Sequence, residues 1–242
     1  MKQAFALFAF LFIFQTSNAQ LFKKEKITYD ANQGRGTTDF KRLRWGYFLG
    51  FNNYDFNFDY NQDLQDIYVE STTGFNVGLI GNLRINNFLD LRIEPGLNIT
   101  TRTLHYSETY FVNEVPSESD LTREIKSTYI HIPLLLKIST KRVNNFKPFI
   151  VGGVSTALNL SSNQDNPNDN QNGEFRSIKH PSFYEFGFGI DLYLHNFKFS
   201  PSIRGVFGLN DEVVRDDDPN SPWTGNINSM KTRGVFVNFT FQ

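Results

Sequence analysis

The sequence contains no cysteine, only two methionines and, beyond its first residues, no long uncharged apolar run. Without cysteine there is no disulfide, no thiolate chemistry and no lipid-anchored N-terminal cysteine. Without a further apolar run there is no helix of the roughly 20 residues that crosses a bilayer. The net charge of −1 does not favour a nucleic-acid partner. The chain is instead rich in aromatic residues, with 26 phenylalanines and 10 tyrosines, which favours β structure.

Residues 1–19 have the pattern of a secretory signal peptide. Lys2 precedes an apolar run from Ala4 to Phe14, and Ser17-Asn18-Ala19 fits the small-x-small motif of signal peptidase, which places cleavage before Gln20. The alternative is a buried N-terminal helix, but charge, length and cleavage motif together favour the signal. The sequence therefore predicts a mature chain that leaves the cytoplasm and that crosses a membrane, if it does, as a β-barrel.

Residues 20–44 form a polar, basic segment, which we interpret as a periplasmic lead-in to the domain at 45–242. Gly34-Arg35-Gly36 interrupts any regular element in it. Its basic side chains are candidate contacts for a periplasmic partner protein, and the alternative is that they only keep the segment soluble. The candidate contact residues are Lys23, Lys24, Lys26, Arg35, Lys41 and Arg42.

The stretch from Gly74 to Arg102 shows the strand pattern most clearly. Apolar residues such as Leu79 and Leu91 alternate with polar ones such as Asn82 and Asp90 along two arms that meet at Asn86-Asn87. A period of two is typical of a strand whose faces meet different media. Each arm is long enough to cross a bilayer as a tilted strand of about nine to eleven residues.

The same pattern continues through the chain and predicts eight strands whose connections alternate between long and short. This plan is typical of bacterial outer-membrane barrels, which have short periplasmic turns and longer extracellular loops. Beside the two arms of the hairpin, the predicted strands are Trp45–Phe56, Ile125–Ile138, Phe146–Leu160 (with a bend or bulge at Gly152-Gly153), His180–Leu194, Phe197–Leu209 and Met230–Phe241.

The connections differ in chemistry as well as in length. The three short turns each end in Asn-Phe, at Phe88, Phe146 and Phe197, which places an aromatic residue where a membrane–water girdle would lie. The long loops are acidic; 55–73, for example, contains aspartate and glutamate but no basic residue. We therefore expect the acidic loops to face outward and the turns and basic lead-in to face the periplasm, although loop charges can also serve solvation alone.

The predicted fold class is all-β, an eight-stranded antiparallel up-and-down transmembrane β-barrel with short periplasmic turns and long acidic extracellular loops. The competing fold is a soluble lipocalin-like barrel, which would place the apolar parity inside and the charged parity outside. The aromatic apolar face and the regular alternation of loop lengths favour the membrane barrel.

Many of the strand positions that are predicted to face the lumen carry ionisable residues. We predict that these residues pair with one another across the lumen. Eight strands enclose a space that side chains fill, so a satisfied polar core is favoured over a proton or ion path, and a diffusion porin is disfavoured. The predicted lumen residues are Arg84, Asp90, Arg92, Glu94, Arg102, Lys137, Glu185, Asp191, Lys198 and Arg204.

Signals for catalysis and metal binding are weak. His105, Ser107 and Glu108 lie near the outer end of the third strand, but such a trio is common by chance, and the chain has no nucleophile elbow and no helical metal motif. Asp216-Asp217-Asp218 has oxygen ligands suited to Ca²⁺, but a solvated acidic loop is the favoured interpretation. We therefore predict no enzyme, no metal, no cofactor and no small-molecule substrate; the expected partners are membrane lipid and other proteins.

Four segments carry a resemblance to a known family. They are Tyr129–Lys137 (Tyr-Ile-His-Ile-Pro-Leu-Leu-Leu-Lys), Lys141–Ser155 (beginning Lys-Arg-Val-Asn-Asn-Phe-Lys-Pro-Phe), Tyr184–Leu194 and Lys198–Arg204. Together they resemble the PorT/SprT family of outer-membrane β-barrels, over essentially the whole mature chain. His131 departs from the pattern, because an acidic residue is expected there in relatives.

The resemblance implies a component of the type IX secretion system, which exports proteins with C-terminal sorting signals and serves gliding motility in some bacteria. It implies a scaffold or assembly role and carries over no catalytic residue. The alternative function is a small outer-membrane surface barrel for adhesion or stress response outside the secretion system.

Overall fold

The computed structural model describes residues 42–111, 115–165, 175–194 and 197–242, and also two short paired strands, β1 (Tyr29–Asp30) and β2 (Arg35–Gly36). The predicted signal peptide and the lead-in residues Lys23, Lys24, Lys26 and Lys41 lie outside the described residues.

Ten further strands form one sheet. They are β3 (Leu43–Tyr60), β4 (Tyr68–Ser71), β5 (Thr73–Arg84), β6 (Leu89–Ile93), β7 (Gly96–His105), β8 (Thr122–Ser139), β9 (Phe146–Asn159), β10 (Ser182–Tyr193), β11 (Lys198–Gly208) and β12 (Ile227–Phe241). The described ranges also contain a 3₁₀ turn, Glu108–Tyr110. None of their helices is long and apolar enough to cross a membrane.

The sheet closes on itself through antiparallel ladders. β3 pairs with β12 on one side and β5 on the other, and β12, β11, β10, β9 and β8 follow one another around the ring. β6 and β7 act as one strand, because Ile93 and Gly96 pair with β5 and β8 in the same register. Only Glu94 and Pro95 separate them, and Pro95 has no N–H to donate to a ladder. The ring thus has eight strands, as predicted.

The first long loop is shorter than predicted. β3 continues to Tyr60, and β4 lies inside the predicted loop 55–73 and pairs with β7. The strands extend because the apolar alternation of Phe56 and Phe58 continues past the predicted end of β3, and these rings pack into an apolar cluster at the long-loop end. The acidic residues of this segment thus lie partly on strands.

The outer surface of the ring carries an apolar band. Leu79 is 64% exposed and Leu134 is 49% exposed, although both lie within long strands, several residues from either end. This distribution is the opposite of that in a soluble barrel, in which the apolar side chains would be buried inside. Near the short-turn end the band becomes aromatic, with Tyr47 stacked on Phe241 at 5.2 Å and Trp45 69% exposed.

The interior is arranged in three layers along the barrel axis. Charged side chains fill the short-turn end. An aromatic layer of Tyr54, Tyr129, Phe183 and Phe236 follows. The long-loop end is closed by an apolar cluster that we call the outer cap, formed by Phe56, Ile67, Leu104, Tyr106, Tyr110, Ile125, Phe175, Val213, Ile227 and Met230.

The predicted bulge at Gly152-Gly153 is wrong, because the ladders of β9 with β8 and with β10 keep one register through both glycines. The reason for glycine differs between the two positions. A Cβ on Gly153 would overlap the carbonyl oxygen of Leu134 and lie 2.9 Å from the Cα of Leu135, whereas a Cβ on Gly152 would lie 3.6 Å from its nearest neighbour.

We expect Gly153→Ala to destabilise the barrel by about 1–3 kcal/mol, because the new methyl meets backbone that moves only if β8 and β9 separate. Gly152→Ala is the matched control and should be neutral or stabilise by less than about 1 kcal/mol. Urea unfolding of both variants in lipid vesicles, followed by circular dichroism, measures the difference. Equal stability of the two variants would contradict the prediction.

Candidate functional site

The structure brings nine of the ten predicted lumen residues into the barrel interior. Each of them is at most 4% exposed, and their sequence parity places them on the inner face of the strands. The nine are Asp90, Arg92, Glu94, Arg102, Lys137, Glu185, Asp191, Lys198 and Arg204.

Arg84 is the exception. It lies at the last position of β5, where its guanidinium donates to the carbonyl of Asn86 (3.3 Å) and to Oδ1 of Asn87 (2.5 Å). Arg84 therefore holds the short turn at the barrel rim. Its parity is that of the buried Ile80 and Asn82, but a strand pattern does not show where a strand ends relative to the lumen.

Two lysines share one carboxylate near the short-turn end. Lys137 Nζ lies 2.6 and 2.7 Å from the two oxygens of Asp191, and Lys198 Nζ lies 3.7 Å from Oδ2. Ser200 donates to Oδ1 at 2.6 Å, and the ring of Phe149 lies 3.8 Å from Lys137 Nζ. Because both lysines are fully buried, Asp191 is the central charge of this cluster.

A second cluster crosses the lumen. Arg204 on β11 contacts Glu94, between β6 and β7, at 2.8 Å and Glu185 on β10 at 2.9 Å. Arg92 lies 3.0 Å from Glu94, and His131 Nε2 lies 2.9 Å from Glu185. The strand that contains β6 and β7 is opposite β11 in the ring, so the bridge from Glu94 to Arg204 spans the barrel diameter. Side chains therefore fill the lumen at this level, which is unlike an open pore.

Arg44 is a lumen residue that the sequence analysis assigned to the lead-in. β3 begins at Leu43, and Arg44 is buried with its guanidinium 3.4 Å from Asp90. Arg44 has the same parity as Gly46 and Phe48, which lie on the inward face of β3. Extending the alternation of β3 back to Arg44 could therefore have predicted its place in the lumen. With Arg44 included, five arginines and lysines face four carboxylates in the two clusters and the Arg44–Asp90 pair.

Arg102 lies apart from these charge clusters, where the aromatic layer meets the outer cap. It donates to Thr232 Oγ1 at 3.0 Å, Ser127 Oγ at 2.9 Å and Tyr129 OH at 2.9 Å, and its guanidinium lies 3.8 Å from the centre of the Phe56 ring. All of these partners are neutral. A carboxylate that does not contact the guanidinium directly must therefore balance the positive charge of Arg102.

Glu212 supplies that balance, and the strand pattern does not predict it, because it lies in a loop outside the alternating segments. It is buried and accepts hydrogen bonds from the Thr232 N–H at 2.9 Å and the Thr232 hydroxyl at 2.8 Å. Burial raises the pKa of Glu212 above its ordinary value, and the charge of Arg102 opposes this rise. Thr232 thus links the 209–226 loop to the lumen.

The alternative sites of the sequence analysis do not assemble. His105 Nε2 lies 2.9 Å from Glu70, whereas Ser107 Oγ accepts the N–H of Thr109 as the cap of the 3₁₀ turn. Asp216 is buried and accepts from Arg176, Ser221 and Thr224, so its oxygens are already used within the protein. Among the described residues, no cluster of three metal-ligating side chains occurs.

Of the candidate periplasmic contacts, the structure places the side chain of Arg42. It is exposed directly before β3, and its carbonyl accepts the N–H of Arg84 at 2.8 Å, so the lead-in meets the barrel at the short-turn end. The side chains of the other five lie outside what the structure describes.

The chain is similar in structure to outer membrane protein OprG from Pseudomonas aeruginosa (12% identity, 82% of this chain and 93% of that chain, TM-score 0.44). It is also similar to Neisserial surface protein A (10% identity, 83% and 98%, TM-score 0.41) and to the attachment invasion locus protein Ail of Yersinia pestis (10% identity, 83% and 99%, TM-score 0.39). A comparison with curated proteins gave no match.

The family model described as "Outer membrane protein beta-barrel domain" matches residues 18–214, which is most of the chain. The closed eight-stranded ring, the exposed apolar band and the buried charges agree with this match. The chain therefore belongs to the outer membrane protein beta-barrel domain family and is a protein of the outer membrane.

Proposed function

We propose that this barrel is a non-enzymatic component of the type IX protein secretion machinery, in which it acts as a scaffold or assembly factor. The observation that carries the scaffold role is the bridge between Glu94 and Arg204, because side chains that span the lumen suit a rigid platform better than a conduit. The assignment to this machinery is supported by the resemblance of Tyr129–Lys137 and Lys141–Ser155 to the PorT/SprT family.

The proposed partner surface is at the periplasmic end. The short turns and the lead-in meet there, and the lead-in is basic, with Lys23, Lys24, Lys26, Arg35, Lys41 and Arg42 as the candidate contacts. A basic segment tethered to a fixed barrel can bind an acidic surface of another secretion protein with a small additional entropy cost.

Deletion of the gene should abolish secretion of cargo that carries a C-terminal sorting signal and leave the permeability barrier of the outer membrane intact. Quantitative proteomics of the culture medium, together with detergent sensitivity of the cells, tests both halves. Intact cargo secretion in the deletion strain would rule out the secretion role.

A comparison of lead-in and loop variants tests where the partner binds. Replacing the six basic lead-in residues with glutamine should reduce secretion more strongly than shortening the acidic loop around 211–218, when membrane levels of the barrel are matched. The alternative surface role in adhesion or stress predicts the opposite order. The observation that favours this alternative is at the outer cap, where β3 continues to Tyr60 and β4 pairs with β7, so that much of the first long loop has a defined position.

A further inference from the structure

A cleft next to the outer cap is not used by the proposed secretion role. Its volume is about 800 Å³, within the range of about 300–1,000 Å³ that is typical of small-molecule sites. The walls come from three separate loops, through Leu64, Phe111 and Trp223 among others. The cleft lies at the long-loop end, so it opens to the outside of the cell.

Two aromatic side chains form adjoining walls. Trp223 and Phe111 lie 5.9 Å apart with their ring planes at 76°. Trp223 is fixed, because its indole N–H donates to the carbonyl of Asp120 at 3.1 Å and its ring packs 4.3 Å from the guanidinium of Arg123. These walls are therefore positioned before any ligand arrives, which lowers the entropy cost of binding.

The loop that holds Trp223 is tied to the rest of the cap. Asp216 Oδ2 accepts from Ser221 (2.5 Å) and Thr224 (3.1 Å), and Asp216 Oδ1 accepts from Arg176 (3.0 Å). Opposite it, Asn226 accepts the N–H of Gln62 at 2.7 Å and donates to its carbonyl at 3.2 Å. Both sides of the cleft are thus built by defined hydrogen bonds.

The charges of the cleft are nearly balanced. The described lining residues include three carboxylates and neither lysine nor arginine, which disfavours an anionic ligand. Asp216 is paired with Arg176, however, and Asp120 accepts from Ser117 at 2.7 Å and lies 3.9 Å from Arg123. Asp218 is the third carboxylate, and among the described residues no cation contacts it. One exposed carboxylate attracts a strongly cationic ligand only weakly.

We propose that this cleft binds a neutral oligosaccharide. The C–H faces of a sugar ring pack on aromatic walls such as Trp223 and Phe111. Its hydroxyls both donate and accept, which matches the exposed amides of Gln62 and Asn220 and the carboxylate of Asp218. A neutral sugar requires no charge from the cleft. Binding here is separate from the periplasmic surface of the proposed secretion role.

The chain offers a direct readout, because it contains two tryptophans and Trp45 lies at the opposite end of the barrel. In a Trp45→Phe background Trp223 is the remaining tryptophan, so its fluorescence reports the cleft alone. The full chain in nanodiscs is titrated with maltotriose, mannotriose and chitotriose, after a glycan array has extended the choice of neutral sugars. A heparin oligosaccharide and tri-lysine are the anionic and cationic probes.

We expect at least one neutral sugar to change Trp223 fluorescence saturably at millimolar or lower concentration, with no saturable change for heparin or tri-lysine. Gln62→Ala and Asn220→Ala should each weaken that binding about three- to tenfold by loss of a hydrogen bond. Asn57→Ala, an exposed amide outside the cleft, is the matched control and should bind like the parent.

Three results would overturn the proposal. They are no response to any neutral sugar on the array, a stronger saturable response to tri-lysine or heparin, or unchanged affinity in both Gln62→Ala and Asn220→Ala. The secretion assay of these two variants separates the two proposals, since cargo export should remain normal even where sugar binding is lost.

Discussion

Replacing Asp191 with asparagine is expected to destabilise the barrel by about 3–5 kcal/mol, because Lys137 and Lys198 would be left buried without their shared carboxylate. The introduced amide would keep the volume and one acceptor for Ser200, so the loss measures charge rather than packing. Urea unfolding in lipid vesicles measures it as a fall in the midpoint without a large change in slope.

Two further variants test whether the unpaired lysine charges cause the loss of stability in Asp191→Asn. Asp63→Asn removes an exposed carboxylate and should change stability by less than about 0.5 kcal/mol. In Asp191→Asn combined with Lys137→Met and Lys198→Met the unpaired charges are absent, so much of the lost stability should return. If this triple variant were no more stable than Asp191→Asn alone, the charge cluster would not be the source of the effect.

The second large effect is expected on the outer face. Leu134→Arg should destabilise the folded barrel by about 2–4 kcal/mol, because Leu134 is the central residue of the exposed apolar row that runs from Ile130 to Ile138 on β8, and an arginine near the bilayer midplane is costly. Folding into vesicles of defined lipid, followed by urea titration, measures this cost.

The control for Leu134→Arg is a charge at an exposed site above the band. Tyr68→Arg on β4 replaces a side chain that is 66% exposed and should leave the free energy of unfolding nearly unchanged. In a soluble barrel, Leu134→Arg would be equally harmless, since its side chain would enter water. A neutral Leu134→Arg would therefore contradict lipid contact at this position.

Much of the fold could be predicted from the sequence, because one face of each strand carries the exposed apolar band and the other face lines the polar lumen. Leu79 and Asp90 differ in environment, and the period of two records that difference residue by residue. Element ends were less predictable: β3 starts two residues before the predicted Trp45 and runs on to Tyr60, since its alternation continues into the outer cap.

The sequence predicted which residues lie in the lumen, but it did not predict which of them form ion pairs with one another. Parity identified Glu94 and Arg204 as inward, yet these residues are 110 positions apart, and nothing local indicates that they share a bond. Glu212 was missed for a related reason, because a loop carboxylate that turns into the barrel has no period to reveal it. The cleft around Trp223 likewise joins loops that are distant in the chain.

The sequence by itself determined that the chain forms eight long two-faced strands, with apolar side chains on one face and charges on the other, since alternation is a local property. Ring closure and strand register decided what those charges do. They brought Asp191 to two lysines, set Glu94 across the lumen from Arg204, placed Arg84 at the rim and gathered the described parts of the long loops around the outer cap. Such contacts depend on positions brought together in space, which no local pattern encodes.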